Sequence, residues 1–137
     1  MSYLLDTNIL SETRKRERAD AGVRAWILAV RGAELYTSVL VIGEIRQGIE
    51  RLKPRNPDQA EAYEKWLAEL RRVFANRIIP ITEEIAEEWG RMNAPAPLPA
   101  ADGLMAATAE VKGMTVVTRN VPDFERTGVE VLNPFES

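Results

Sequence analysis

The 137-residue chain has neither cysteine nor histidine. Without cysteine there are no disulfides, thiolate zinc sites or thiol nucleophiles, a composition that suits a reducing compartment. Without histidine there is no Ser-His-Asp hydrolysis, no imidazole metal ligand and no histidine acid-base cleavage of RNA. Any hydrolytic chemistry must therefore rest on carboxylates, hydroxyls, lysines or a bound metal. Long apolar runs are missing as well: nothing approaches the roughly 18 residues needed to cross a bilayer. The opening Met1-Ser2-Tyr3-Leu4-Leu5-Asp6 has neither the basic flank nor the apolar length of a signal peptide, so a soluble cytoplasmic protein is expected. Nor is there an excess of positive charge. Eighteen basic and 21 acidic side chains leave a net charge of -3, which does not announce a nucleic-acid binder. The distribution says more than the sum: Arg14, Lys15, Arg16 and Arg18 form one basic cluster and Arg46, Arg51, Lys53 and Arg55 another. Each can contact phosphate or simply lie on a solvated helix face.

What is present is apolar residue in quantity, 45% of the chain, enough for one core. No repeat or composition break divides it, so a single domain over residues 1–137 is expected. Short apolar strand candidates, Tyr3-Leu4-Leu5, Leu35-Tyr36-Thr37, Ile78-Ile79-Pro80-Ile81, Thr115-Val116-Val117 and Val129-Glu130-Val131-Leu132, alternate with segments of helical spacing. The helical sets are Val23, Trp26, Ile27 and Val30; Ile42, Ile45, Ile49 and Leu52; Tyr63, Leu67, Leu70 and Phe74; and Ile85, Trp89 and Met92. Ser38, Thr82 and Asn56-Pro57 read as helix starts. The stretch Pro95-Ala96-Pro97-Leu98-Pro99 reads as a stiff extended connection to a helix from about Ala101 to Lys112, closed by Gly113. This alternation predicts an α/β fold, a three-layer α/β/α sandwich around a parallel sheet of about five strands. Such sheets place ligands beyond the carboxyl ends of their strands, where Asp6 and the segment Thr118 to Asp123 fall.

Four acids stand out. Asp6 ends the first strand, and either caps the following turn or faces a polar cleft. Glu44 sits in the mostly apolar Val39-Leu40-Val41-Ile42-Gly43-Glu44-Ile45, near Gly43 and Gly48, whose cost to a helix is offset by close packing or ligand access. Asp102 stands near the start of an alanine-rich helix, where an acid also suits the helix dipole. Asp123 lies in the polar loop Thr118-Arg119-Asn120-Val121-Pro122-Asp123-Phe124. Acids from several separate segments are what a hard divalent cation requires.

These segments together resemble a known family. Leu5-Asp6-Thr7-Asn8-Ile9-Leu10-Ser11-Glu12, Ile42-Gly43-Glu44-Ile45-Arg46-Gln47-Gly48, Ala101-Asp102-Gly103-Leu104-Met105-Ala106-Ala107-Thr108-Ala109 and Thr118 to Phe124 look like the four signature segments of PIN-domain toxins of the VapC/FitB-like branch, in family order and over essentially the whole chain. The resemblance implies the PIN fold, a magnesium- or manganese-dependent ribonuclease, a homodimer, and a cognate antitoxin that blocks the site. It carries over Asp6, Glu44 and Asp102 as an acidic core with Asp123 as fourth acid, all as catalytic metal ligands. Thr7, Asn8, Thr118 and Asn120 are expected to orient them. Many PIN proteins have an acid where this chain has Asn120, two residues after the threonine. Gly103 is expected to keep a side chain out of the site. Trp26, Trp66 and Trp89 are expected in the core, with an interface role open to one of them.

Two other functions compete. A haloacid-dehalogenase-type phosphatase also opens on a strand and a magnesium-binding aspartate, but needs a second acid two residues later, where this chain has Asn8. A catalytically inactive PIN-fold module binding RNA or protein would have no need of four acids.

Overall fold

The structure, a computed structural model, describes residues 1–136. The expected domain boundary at Ser137 lies outside the described residues. Five strands form one sheet: β1 (Tyr3–Leu5), β2 (Leu35–Ser38), β3 (Ile78–Ile79), β4 (Thr115–Val117) and β5 (Val131–Leu132). Every pairing is parallel and the order is β3-β2-β1-β4-β5. Neighbouring residues on a strand face opposite sides of a sheet, yet Leu4 and Leu5, and Val116 and Val117, are all fully buried. Both faces are therefore covered, as expected of a parallel sheet.

The helices are α1 (Thr7–Thr13), α2 (Ala21–Ala29), α3 (Val39–Leu52), α4 (Pro57–Val73), α5 (Glu83–Asn93), α6 (Ala100–Lys112) and α7 (Val121–Glu125). Ser38 Oγ accepts from Leu40 N, Asn56 Oδ1 from Gln59 N ahead of Pro57, and Thr82 Oγ1 from Ile85 N. Those three starts are where the sequence puts them. Gly113 ends α6 at φ 67°, a left-handed conformation that glycine adopts without a Cβ penalty.

Two helices depart from the expectation. Asp6 opens α1 rather than a bare turn, and the expected polar loop around Asp123 contains α7. Two strands are shorter than expected. β3 stops before Pro80, which lacks the N–H a ladder needs, and β5 begins two residues beyond Val129 and the positive-φ Gly128.

The strand order carries the functional consequence. From β1 the chain builds outward to β2 and β3, then returns to β4 on the other side of β1. The direction of winding reverses between β1 and β4, and a crevice opens at their carboxyl ends. Asp6 and Thr118 are the first residues past those two ends.

Candidate functional site

Asp6 is a buried acid whose carboxylate accepts three hydrogen bonds and keeps acceptor capacity to spare. Its backbone N–H donates to Val117 O at 3.0 Å, extending the β1–β4 ladder by one bond. Its Oδ1 accepts from Thr7 N at 2.8 Å as the cap of α1. Its Oδ2 accepts from Thr118 Oγ1 at 2.9 Å and Asn8 Nδ2 at 3.3 Å. The two readings of Asp6, cap and cleft acid, thus describe the same side chain.

Thr118 is fully buried, and its hydroxyl has one proton and two lone pairs to satisfy. It donates to Asp6 and accepts from Asn8 Nδ2 at 3.2 Å and Asn120 N at 3.0 Å, which uses all three. Asn8 bridges the strand ends: its amide donates to Asp6 and Thr118, and its carbonyl accepts from Arg119 N at 3.1 Å. Asn120 donates through Nδ2 to Asp123 Oδ2 at 3.0 Å. The position where many PIN proteins carry an acid here holds an amide that steers the acid three residues on. Thr7 Oγ1 donates to Glu44 Oε1 and so fastens α1 to α3.

Asp102 lies in the first turn of α6. Burial raises its pKa above the ordinary carboxylate value, and the negative charges of Asp6, Glu44 and Asp123 raise it further. Asp102 therefore stands near enough to Asp6, Glu44 and Asp123 to feel the charge of each. Seven of the eight expected site residues join in one hydrogen-bonded network, Glu44–Thr7–Asp6–Asn8–Thr118–Asn120–Asp123, and Asp102 is tied to it electrostatically. The donor set is oxygen alone, which suits a hard cation, and the mutual repulsion is what a cation would relieve. Among the described residues, no three acids stand close enough together to hold an ion between them as they are placed.

One expectation is corrected. Gly103 answers to packing, not to access: a Cβ there would lie 2.8 Å from Trp89 Nε1 and 3.4 Å from Asn93 Oδ1, so glycine lets α5 close on α6. Gly43 and Gly48 do the reverse, each with nothing within 4 Å of an added Cβ. All three tryptophans are partly buried against the core. Arg46, from the second basic cluster, is bound at 2.7 and 2.6 Å by Glu64 and at 3.4 Å by Glu50. Sequence pattern alone did not connect Tyr63 and Trp66 with the site, although they line a groove reaching Thr7 and Glu44. Their spacing of three on α4 was the available signal, and it reads equally as a core stripe.

A parallel five-stranded sheet with acids gathered at its central switch point defines the class, and comparison agrees: residues 3–130 match the PIN domain, and the chain belongs to that family. It is 37% identical to plasmid stability protein StbB of Pseudomonas syringae pv. tomato (98% of this chain, 99% of that one) and 32% identical to VapC ribonuclease Y4jK of Sinorhizobium fredii (97% of each). Toxin FitB of Neisseria gonorrhoeae is 32% identical over 96% of this chain and 97% of its own length. The crystal structure of FitAcB from that organism superposes with a TM-score of 0.87 at 31% identity, covering 96% of this chain and 97% of that one.

Proposed function

We propose that this chain is the toxin of a toxin–antitoxin pair and acts as a magnesium- or manganese-dependent endoribonuclease. The observations that support the reading are the hydrogen-bonded network joining Asp6, Glu44 and Asp123 at the carboxyl ends of β1 and β4, and an Asp102 carboxyl pushed up by burial and by the charges of those three acids. Similarity to a protein named VapC ribonuclease and to one named toxin FitB, each over nearly the whole chain, supports both the nuclease and the toxin parts.

Asp6, Glu44, Asp102 and Asp123 would hold the ion, which when bound supplies an ionised water near neutral pH and neutralises phosphate charge. The chain's own work is positioning. Thr118 and Asn8 lock the Asp6 carboxylate against rotation, Thr7 fixes Glu44 across the α1–α3 gap, and Asn120 turns Asp123 inward. Asp102, set in a partly buried first turn, has its ionised form disfavoured by burial and by neighbouring negative charge, and a bound cation would offset both.

A cognate antitoxin would block this crevice by presenting an arginine or lysine to the acids. A homodimer and a cytoplasmic location complete the reading. Among the described residues no helix is long and apolar enough to cross a membrane.

The test is cleavage of mixed cellular RNA in magnesium or manganese, with a chelator control and an Asp6→Asn variant. Metal-dependent cleavage that disappears in the variant is expected. Undiminished cleavage in excess EDTA would overturn the metal mechanism.

A further inference from the structure

We infer that single-stranded RNA leaves the acid crevice along a groove between α1 and the α3–α4 hairpin, with one base stacked on Trp66 and the next phosphates held by Arg14, Arg16 and Lys65. The inference rests on the ribonuclease reading. Two adjoining hollows trace the path. One, of about 290 Å³, starts at Thr7 and Glu44 and runs past Gly48 and Tyr63 to Trp66. The other, of about 740 Å³, starts at Trp66 and opens onto Arg14, Arg16 and Lys65. Trp66 stands at the junction of the two.

Charge changes sign along this path. The near end carries Glu44 and Thr7, and Thr7 is the residue whose N–H Asp6 caps. The far end is lined by Arg14, Arg16 and Lys65 with Glu69 as its one acid; Glu69 is itself engaged by Arg72, and Lys65 has an exposed partner in Glu61 at 3.8 Å. A strand with one phosphate at a cation-loaded acid site and the next phosphates beyond Trp66 matches that order. An aromatic platform followed by a basic groove is how sequence-tolerant single-strand binders hold their ligand.

Local structure keeps this surface in place. Arg14 stacks 4.2 Å over the Tyr63 ring and donates to Tyr63 Oη at 2.7 Å, and its Nε is buried with no hydrogen-bond partner among the described residues. Tyr63 in turn meets Trp66 edge-on at 6.1 Å. Arg16 sits at φ 55°, the one non-glycine residue at positive φ among the described residues, and such strain clusters at working surfaces. Gly48 leaves the groove open, since nothing lies within 4 Å of an added Cβ.

The experiment is steady-state cleavage of a single-stranded RNA of roughly 10 nucleotides in millimolar magnesium, over a range of salt concentrations. Both Arg16 and Lys65 are exposed, so an Arg16→Gln/Lys65→Gln variant should fold. It is expected to lose roughly tenfold in kcat/KM at low salt, carried by KM. The slope of log affinity against log salt should fall by about 1.4, at about 0.7 for each phosphate the variant no longer neutralises. Trp66→Ala should also lose roughly tenfold and Trp66→Phe should recover most of it. Arg91→Gln, on α5 outside the groove, should match the parent.

If the parent shows no metal-dependent cleavage, the ribonuclease reading fails and takes this one with it. If the parent cleaves and the double variant keeps its KM and salt slope, the track is wrong and the ribonuclease stands. The same holds if the variants keep their RNA kinetics but lose a co-purifying protein, which would assign the groove to that partner. Should Trp66→Ala fail to fold, the double variant decides.

Discussion

Replacing Gly103 with alanine sets two effects of opposite sign against each other. Alanine favours a helix interior by about 0.5–1 kcal/mol over glycine. The added Cβ, however, would lie 2.8 Å from Trp89 Nε1, 3.0 Å from its Cδ1 and 3.4 Å from Asn93 Oδ1. Carbon atoms in contact settle at about 3.5–4.0 Å, so α5 must retreat from α6 by some tenths of an ångström. Asn93 cannot give way freely, because its Oδ1 accepts from Leu98 N at 2.8 Å and anchors the proline-rich connection. Overpacking of this kind costs about 1–3 kcal/mol. The net expectation is a loss of up to about 2.5 kcal/mol, a lowering of Tm by up to about 10 °C for a chain of this length. Thermal unfolding by circular dichroism, with urea melts at unchanged m, measures it. In a Trp89→Leu background, which removes Nε1, the same substitution should cost at least about 1 kcal/mol less. RNA cleavage should fall too, since Asp102 is the preceding residue and moves with the helix start. A Gly103→Ala protein that melts at or above the parent, or one whose loss is unchanged by Trp89→Leu, refutes the packing argument.

Gly48→Ala should do the opposite and raise stability by about 0.5–1 kcal/mol, because its Cβ meets open space on a helical backbone; a lower Tm would show that α3 does not tolerate a side chain there. Asp102→Asn in EDTA should gain on the parent as pH rises. The folded-state carboxyl of Asp102 is raised, so the folded parent holds that proton more tightly than the unfolded chain and loses stability as pH climbs from the carboxylate range through the raised value. The variant lacks that loss, and a Tm difference that stays flat from acid to neutral pH would contradict it. Asp6→Ala should destabilise the metal-free protein by about 1–2 kcal/mol through loss of the α1 cap and the Thr118 bond, measured by urea unfolding. A neutral result would mean that α1 is held by other interactions.

The parallel sheet was legible because its strands are short and apolar on both faces and separated by helices long enough to show their period. α1 was not, because seven residues with buried Ile9 and Leu10 alone show too little periodicity. α7, five residues long with Pro122 near its start, looks like a turn. The acids were singled out by type and place in the chain, and the reversal of strand order between β1 and β4 explains why Asp6 and Thr118 lie side by side. What the sequence could not show was the use made of each polar group: that the Thr118 hydroxyl serves three partners, that Asn120 steers Asp123, and that Gly103 answers to Trp89 across a helix pair. Those interactions join residues brought together only by the fold or by the exact geometry of a turn, and local pattern does not reveal them.

The central claim is that the acids that hold the cation are the acids that cleave RNA. Calorimetric titration of manganese into the parent and into Asp102→Asn, set beside the manganese concentration that half-activates RNA cleavage in each, tests it most directly. In the parent the binding and activation constants should coincide, and Asp102→Asn should weaken both together. Manganese binding unchanged by Asp102→Asn, or full cleavage where no manganese is bound, would contradict the account.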